Sequence, residues 1–365
     1  MKTDILIGSD MFWNSLRGDM RNAKQSIRIQ AMTFEADSVG AKVYNELVDS
    51  TAPSKYLCVD NFSKFIISDS FVYGPRRLSD ARFRDEVKQT QKIFSSAKSD
   101  NVDISFTNPL GLFFCKYPLR NHKKIMLIDD DISYIGGINF SEHNFEWHDM
   151  MLRIENEELC TFFKNDFDIT TMGQNQSIRK SFAGIDVFVL DGYRSKDLYD
   201  ELFETLSAAQ KSIHIVSPYI TAPFLDVIGE RALAGVDVKI ISPAANNKKL
   251  LKYYIQYQQQ KYSFEILMYQ TKMSHLKAII VDDEILIAGS TNFDFASYFL
   301  EQEYCAVIRD PATVSAFKSK VVDDAMASST VYEKGQLSLS HSWANLLINT
   351  AIKLCRFMAR RIYKL

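Results

Sequence analysis

The feature that most limits what this 365-residue chain can become is an internal repeat. NHKKIMLIDDDISYIGGIN at 121–139 and SHLKAIIVDDEILIAGSTN at 274–292 align without a gap, 153 residues apart. Both read His-x-Lys, four residues, Asp, then Gly-Gly or Gly-Ser, one residue, Asn. Self-similarity of this kind marks a duplicated structural unit. Upstream, AKQSIRIQAMTF (23–34) and AQKSIHIVSPYI (209–220) echo each other at an offset of 186. The offsets differ by 33 residues, so the first half carries a longer middle, mostly within 60–118, with FSKFIISDSFVYGPRRLSDARFRDEV and the apolar run GLFF.

Within each half, short apolar or alternating runs read as strands (IRIQAM, DISF, KIMLI, SYIGG; then IHIVSP, DVKIISP, FEILMY, KAIIV, ILIAGS). Longer amphipathic segments such as LYDELFETLSAAQ and FLDVIGERALAG read as helices. Strands alternating with helices predict an α/β fold. The expected architecture is two homologous α/β/α sandwich halves with mixed central sheets, related by a pseudo-two-fold axis. The halves span 1–175 and 176–333, joined near TTMGQNQSIRKSF, and a third piece occupies 334–365.

Hydrophobic residues at 46% and charged residues at 24% exclude a disordered or collagen-like chain. The net charge of −2 hides an asymmetry: the last 32 residues carry six basic groups and no acidic one, leaving −8 on the rest. No global basic field points to duplex DNA, and an anionic partner is expected at the tail. Five scattered cysteines, without a CxxC pair, fit neither a disulfide framework nor a zinc site, and reduced thiols in the cytosol are expected. MKTDILIGSD lacks an apolar signal core and no run reaches 18 uncharged apolar residues, so neither a signal peptide nor a membrane span is expected.

In a strand, residues two apart share a face, which points His122 with Lys124 and His275 with Lys277 the same way. Asp129 and Asp282 lie seven positions after their His, on the other face, and read as residues capping a hairpin turn. Asp149 and Glu303 open the next strand of each half and are the expected partners that orient the imidazoles. If the halves pack about an approximate two-fold, two imidazoles, two ammonium groups and the Asn139 and Asn292 amides surround one small volume suited to a phosphate. Backbone N–H groups at Gly137 and Ser290 add donors, and this chemistry requires no metal. One neutral His attacks phosphorus while the other, protonated, donates to the leaving oxygen. His143, His148, His214 and His341 read as structural.

The duplicated HxKxxxxD with G-G/S-x-N resembles the phospholipase D superfamily over nearly the whole chain, and within it bacterial-type cardiolipin synthases. SIRIQAMTFEADSVG, TNPL before LRNHKK, GGINFSEHNFEWHDMMLRIE, SPYITAP, GVDVKIISP and YQTKMSHLK carry the closer match. The resemblance implies His122 as nucleophile and His275 as acid and base, a phosphohistidine intermediate, and Lys124, Lys277, Asn139 and Asn292 holding the phosphate. It also implies phosphatidyl transfer between two phosphatidylglycerols, with no cofactor. The family usually has an arginine where Ala296 stands and an asparagine where Glu301 stands, so the acceptor alcohol stays open among phosphatidylglycerol, another lipid and water. Two membrane-spanning helices with which those synthases often begin have no counterpart in this sequence.

SWANLLINTAIKLCRFMARRIYKL places Trp343, Leu347, Ala351, Leu354, Met358 and Ile362 at helical spacing, with Lys353, Arg356, Arg360, Arg361 and Lys364 largely opposite. This basic amphipathic helix is expected to hold a cytoplasmic protein peripherally on an anionic leaflet. The alternative is a terminal helix docked on the body. Gly111–Cys115 reads equally as a lipid-facing loop or a buried strand. The competing functions are a phospholipid hydrolase or headgroup-exchange enzyme, a nuclease or other phosphodiesterase, for which nucleic acid is the less favoured substrate, and a catalytically inactive scaffold. Oligomeric state is not encoded in any feature recognised.

Overall fold

The alternating runs form strands in both halves, and most of the central ones are buried along their whole length because helices cover both sheet faces. The computed structural model describes residues 1–335 and 337–363. The chain divides into two units, Met1–Gln176 and the chain from Ser177 onward.

In the first unit, β1 (Lys2–Ile7), β2 (Ser26–Ala31), β3 (Ser54–Asp60), β4 (Asp103–Thr107), β5 (Ile125–Ile128), β6 (Ile132–Gly136) and β7 (Met150–Glu155) form one sheet. Its order is β1-β7-β6-β5-β2-β3-β4. β2, β3 and β4 are parallel, and the remaining pairs are antiparallel. Helices Ser9–Asn22, Ser38–Asp49, Ala81–Ser96 and Glu157–Thr171 connect and cover it. The last three begin at a side-chain cap: Asp37 accepts from the N–H groups of Val39 and Gly40, Asp80 from that of Phe83, and Asn156 from that of Leu159.

The second unit repeats this plan. Its strands are β8 (Ile178–Phe182), β9 (Ile185–Asp191), β10 (Ser212–Val216), β11 (Asp237–Pro243), β12 (Glu265–Tyr269), β13 (Ala278–Val281), β14 (Ile285–Gly289), β15 (Gln302–Ile308) and β16 (Ser329–Val331). Among the described residues the order is β8-β9-β15-β14-β13-β10-β11-β12-β16. Without its edge strands β8 and β16, the order and the parallel or antiparallel sense match the first unit strand for strand. Both sheets are therefore mixed α/β sheets of one topology, as the repeat predicts.

The longer middle of the first unit folds as a two-residue hairpin (Ile66–Ile67 with Ser70–Phe71) and helix Ala81–Ser96, packed around Ile67, Val72, Phe83 and Val87. Gly111–Cys115 is not a strand. It forms a short 3-10 turn that starts from Gly111 at φ 73° and leaves Phe113 93% exposed at φ 51°.

The C-terminal helix, Leu339–Ile362, docks on helix Lys249–Gln258 of the second unit. Its buried stripe is Ala344, Ile348, Ile352 and Ala359, spaced by four, four and seven, with two alanines that permit close approach. Polar pins reinforce the seat: Gln258 Nε2 donates to Asn345 Oδ1 at 2.8 Å, and His341 meets Gln256 at 3.2 Å. The apolar surface is thus divided, which the sequence reading assigned to one face. Trp343, Leu347 and Leu354 face solvent together with Leu346 and Phe357, each about half exposed. Lys353, Arg356, Arg360 and Arg361 are also exposed, and Lys364 lies outside the described residues. Among the described residues no helix is long and apolar enough to cross a membrane.

Candidate active site

The first His-x-Lys does not lie within a strand. His122, Lys123 and Lys124 form the extended approach to β5, and His275, Leu276 and Lys277 the approach to β13. Both His and both Lys are buried. In each unit the lysine curls back on its own His: Lys124 Nζ donates to the His122 carbonyl at 2.9 Å, and Lys277 Nζ to that of His275 at 2.5 Å. Lys277 Nζ also lies 2.9 and 3.0 Å from the His275 ring nitrogens. In the second copy cation and imidazole are therefore positioned as one polar unit.

Asp129 and Asp282 do more than cap a turn. Each sits at positive φ (52° and 54°) in a three-residue connection, a conformation Asp tolerates. Asp129 accepts from the N–H groups of Lys24, Gln25 and Ser26; Asp282 accepts from those of Gln210, Lys211 and Ser212. The carboxylates tie the hairpin to the start of β2 and β10, the central strands beside it. Partial burial alone would raise their pKa values, but the three backbone donors hold both below the ordinary Asp value.

Asp149 and Glu303 occupy equivalent register positions although one follows its Asn by ten residues and the other by eleven. Gly137 N–H donates to the Met150 carbonyl at 3.2 Å and Ser290 N–H to that of Tyr304 at 3.0 Å, so each acid directly precedes a matched residue. The single extra residue is absorbed in the intervening loop. Asp149 packs onto Gly137, where a Cβ would stand 2.5 Å from both carboxylate oxygens. This glycine is required by close approach rather than by backbone angle. Glu303, fully buried, accepts from Ser290 Oγ at 2.5 Å and Ser297 Oγ at 2.7 Å, while Ser290 Oγ accepts from Tyr304 N–H at 2.9 Å.

Asn139 and Asn292 are each buried, and each has a side-chain oxygen without a hydrogen-bond partner among the described residues. A buried amide left this way is costly unless a ligand completes it. The same atom is left over in both copies.

Several supporting residues have no counterpart in the sequence reading. Asp60, at the end of β3, accepts from Asn121 N–H at 2.6 Å and pairs with Arg120. The Asn121 side chain accepts from Gln30 Nε2 and donates to Thr107 Oγ1, both at 3.1 Å. Lys123 Nζ donates to Asp166 Oδ2 at 2.6 Å and Thr170 Oγ1 at 2.7 Å, all three buried. These groups fix the backbone on both sides of His122. Their visible trace was only the charged residues that border or interrupt apolar segments, in KKIMLI and FFKNDFDI. In the second unit, Tyr219 sets its ring edge against His275, with centroids 6.0 Å apart. Of the four histidines read as structural, His214 meets Asp237 at 3.3 Å, His143 contacts Ser141 and Asn144, and His341 caps the C-terminal helix. His148 is buried.

Comparison with known proteins extends this correspondence. The chain is 25% identical to the probable cardiolipin synthase YwiE of Bacillus subtilis (strain 168), over 85% of this chain and 63% of the relative. It is 28% identical to the minor cardiolipin synthase ClsB of the same organism, over 90% of this chain and 82% of the relative. The chain spans a little under two thirds of the length of the first curated relatives it matches. In fold it is similar to the crystal structure of phosphatidylserine synthase from Haemophilus influenzae Rd KW20, with a TM-score of 0.74 at 15% identity, covering 99% of this chain and 94% of the other. Residues 16–170 and 202–324, which contain both repeats, match the family described as cardiolipin synthase, PLD-like domain, and the chain belongs to that family.

Proposed function

We propose that this protein is a phosphatidyltransferase that makes cardiolipin from two phosphatidylglycerol molecules, both His-x-Lys motifs acting on one phosphodiester. The observation that carries the reading is the matched pair of buried sets in a family of cardiolipin synthase domains: His, Lys, an Asn with an unpartnered amide oxygen, and an acid at one register position. The His122 imidazole attacks the phosphorus of the donor; the P–O bond to glycerol breaks, and protonated His275 gives its proton to the leaving oxygen. His275 then takes the proton from the acceptor hydroxyl, whose oxygen attacks phosphorus. The P–N bond breaks and His122 is restored. Lys124 and Lys277 stabilise the charge on the phosphoryl oxygens, Asn139 and Asn292 and the Gly137 and Ser290 backbones position the group, and Asp149 and Glu303 orient the imidazoles.

The protein works at the cytoplasmic face of a membrane, held through the outward face of the C-terminal helix. Trp343, Leu347 and Leu354 supply apolar contact, and Lys353, Arg356, Arg360, Arg361 and Lys364 supply about 1 kcal/mol each near an anionic surface. The half-exposed apolar stripe of a helix that is already docked supports this. Ala296 and Glu301, in place of the usual arginine and asparagine, favour a second reading in which water or another alcohol accepts the phosphatidyl group.

Incubation with labelled phosphatidylglycerol, with and without added alcohols, on anionic and on neutral vesicles, tests all of this. Cardiolipin plus free glycerol is the expected product, formed faster on anionic vesicles. Phosphatidic acid alone would establish the hydrolase reading, and no turnover would refute both. His122→Ala and His275→Ala each reduce transfer at least a thousandfold without changing the melting temperature; full activity in either would end the two-histidine mechanism.

A further inference from the structure

The loop that leaves β2 and the helix inserted in the longer middle of the first unit meet at three carboxylates. Glu35 and Asp37 lie between β2 and helix Ser38–Asp49, and Glu86 lies on helix Ala81–Ser96. One oxygen of each stands within 4.8 Å of the other two. The helix is pinned to the loop beside them, where Ala36 N–H donates to Thr90 Oγ1 at 2.9 Å. Glu35 is only 2% exposed, and its Oε2 has no hydrogen-bond partner among the described residues. Asp37 and Glu86 are half-buried, so solvent reaches the group from their side.

Three acids this close repel one another, and a buried carboxylate is costly unless a cation or a proton answers it. Burial, then the charges of Glu86 and Asp37, push the Glu35 carboxyl up to about 8. Asp37 and Glu86 are raised as well, with burial the main cause in each. Among the described residues no Lys or Arg forms an ion pair with any of the three. Arg76, whose charge reaches Glu86, donates instead to Asp80 Oδ2 and the Ser68 carbonyl, both at 3.1 Å, and Arg82 pairs with Glu142 at 2.7 Å. The groups that do donate are neutral. Ser68 Oγ lies 3.0 and 3.1 Å from the two Glu86 oxygens, and Asp37 accepts from the N–H groups of Val39, Gly40 and Glu142. Such donors fix the carboxylates in place and leave lone pairs on the same oxygens.

We propose that Glu35, Asp37 and Glu86 form a binding site for a hard divalent cation, calcium or magnesium, which fastens the inserted helix to the loop after β2. An all-oxygen set suits such cations, and water completes the shell. The consequence reaches the first motif. Asp37 Oδ2 accepts from Glu142 N–H at 2.5 Å, and Glu35 N–H donates to the Phe140 carbonyl at 3.4 Å, so both acids are joined to the segment that follows Asn139. A cation here stiffens that segment from outside the His-x-Lys chemistry, and the inference stands apart from the transfer reading.

The test titrates the chelator-treated full chain with calcium chloride and, separately, magnesium chloride by calorimetry. The parent binds one equivalent of at least one of them, and Glu35→Gln and Glu86→Gln each weaken that binding at least tenfold. At a hundred times the dissociation constant the cation raises the melting temperature of the parent by about 5 °C. Glu35→Gln gains nothing from the cation, yet in chelator it melts no lower than the parent, because an amide of the same shape removes a buried acid. Hydrogen exchange across helices Ala81–Ser96 and Glu142–Glu146 slows with cation in the parent and not in Glu86→Gln. The proposal is overturned by a parent that binds neither ion, by binding that Glu35→Gln leaves intact, or by an equal melting shift in sodium chloride of matched ionic strength.

Discussion

The two motif strands share a backbone and differ in what holds them. Around His122 the support is ionic: Lys123 is buried against Asp166, and Asp60 is buried against Arg120. Around His275 the residue equivalent to Lys123 is Leu276, fully buried and apolar. The acids differ in the same spirit, Asp149 resting on a glycine and Glu303 gripped by two serine hydroxyls. The two copies therefore share the His, Lys and Asn of the motif while the scaffolding beneath them differs. Charge pairs and apolar packing are alternative ways to fix one backbone, because a buried ion pair contributes little net stability over a well-packed hydrophobic replacement.

That comparison breaks most readily at Lys123. Lys123→Met leaves Asp166 buried without its cation and lowers urea-unfolding stability by about 3–5 kcal/mol. Lys123→Leu with Asp166→Leu recovers most of the loss, making the first copy resemble the second. Failure of the double variant to recover would mean that the ionic support does something packing cannot. A smaller effect follows at the acids. Ser290→Ala removes a donor to buried Glu303 and costs about 1–3 kcal/mol, whereas Gly137→Ala drives a methyl group into Asp149 and cuts activity more than stability. Unfolding and turnover measured on the same samples separate the two outcomes.

The smallest effect is the one shared by both copies. Asp129 and Asp282 have pKa values held low by backbone donors, so their contribution is present above the unfolded Asp value and is lost as pH falls through the folded value. Asp129→Asn and Asp282→Asn each cost about 1 kcal/mol at pH 7 and nothing in strong acid. Unfolding midpoints between pH 7 and pH 2 give the curve; a cost independent of pH would show that the carboxylate charge is irrelevant to the stitch.

The fold was legible because strand periodicity is local and the repeat supplies every element twice. Even the equivalence of Asp149 and Glu303 could be inferred, since each opens a strand that pairs with its own hairpin. Lys123 with Asp166 and Asp60 with Arg120 could not, because partners 43 and 60 residues apart meet only through the sheet order. The alternation of the His-x-Lys segments continues that of β5 and β13, whereas the ladder begins only after the lysine. The C-terminal helix carries a different ambiguity. Its apolar residues cover more than one face, and spacing alone does not say which of two stripes a neighbouring helix will claim.

That second stripe has a geometric consequence. A tethered anchor lets an enzyme swivel above whatever it grips, but a helix bolted down through Ala344, Ile348, Ile352 and Ala359 cannot turn independently of the body beneath it. Whatever surface Trp343 and Leu354 settle on would therefore set which way up the second unit lies, and so the direction from which the His275 segment is approached.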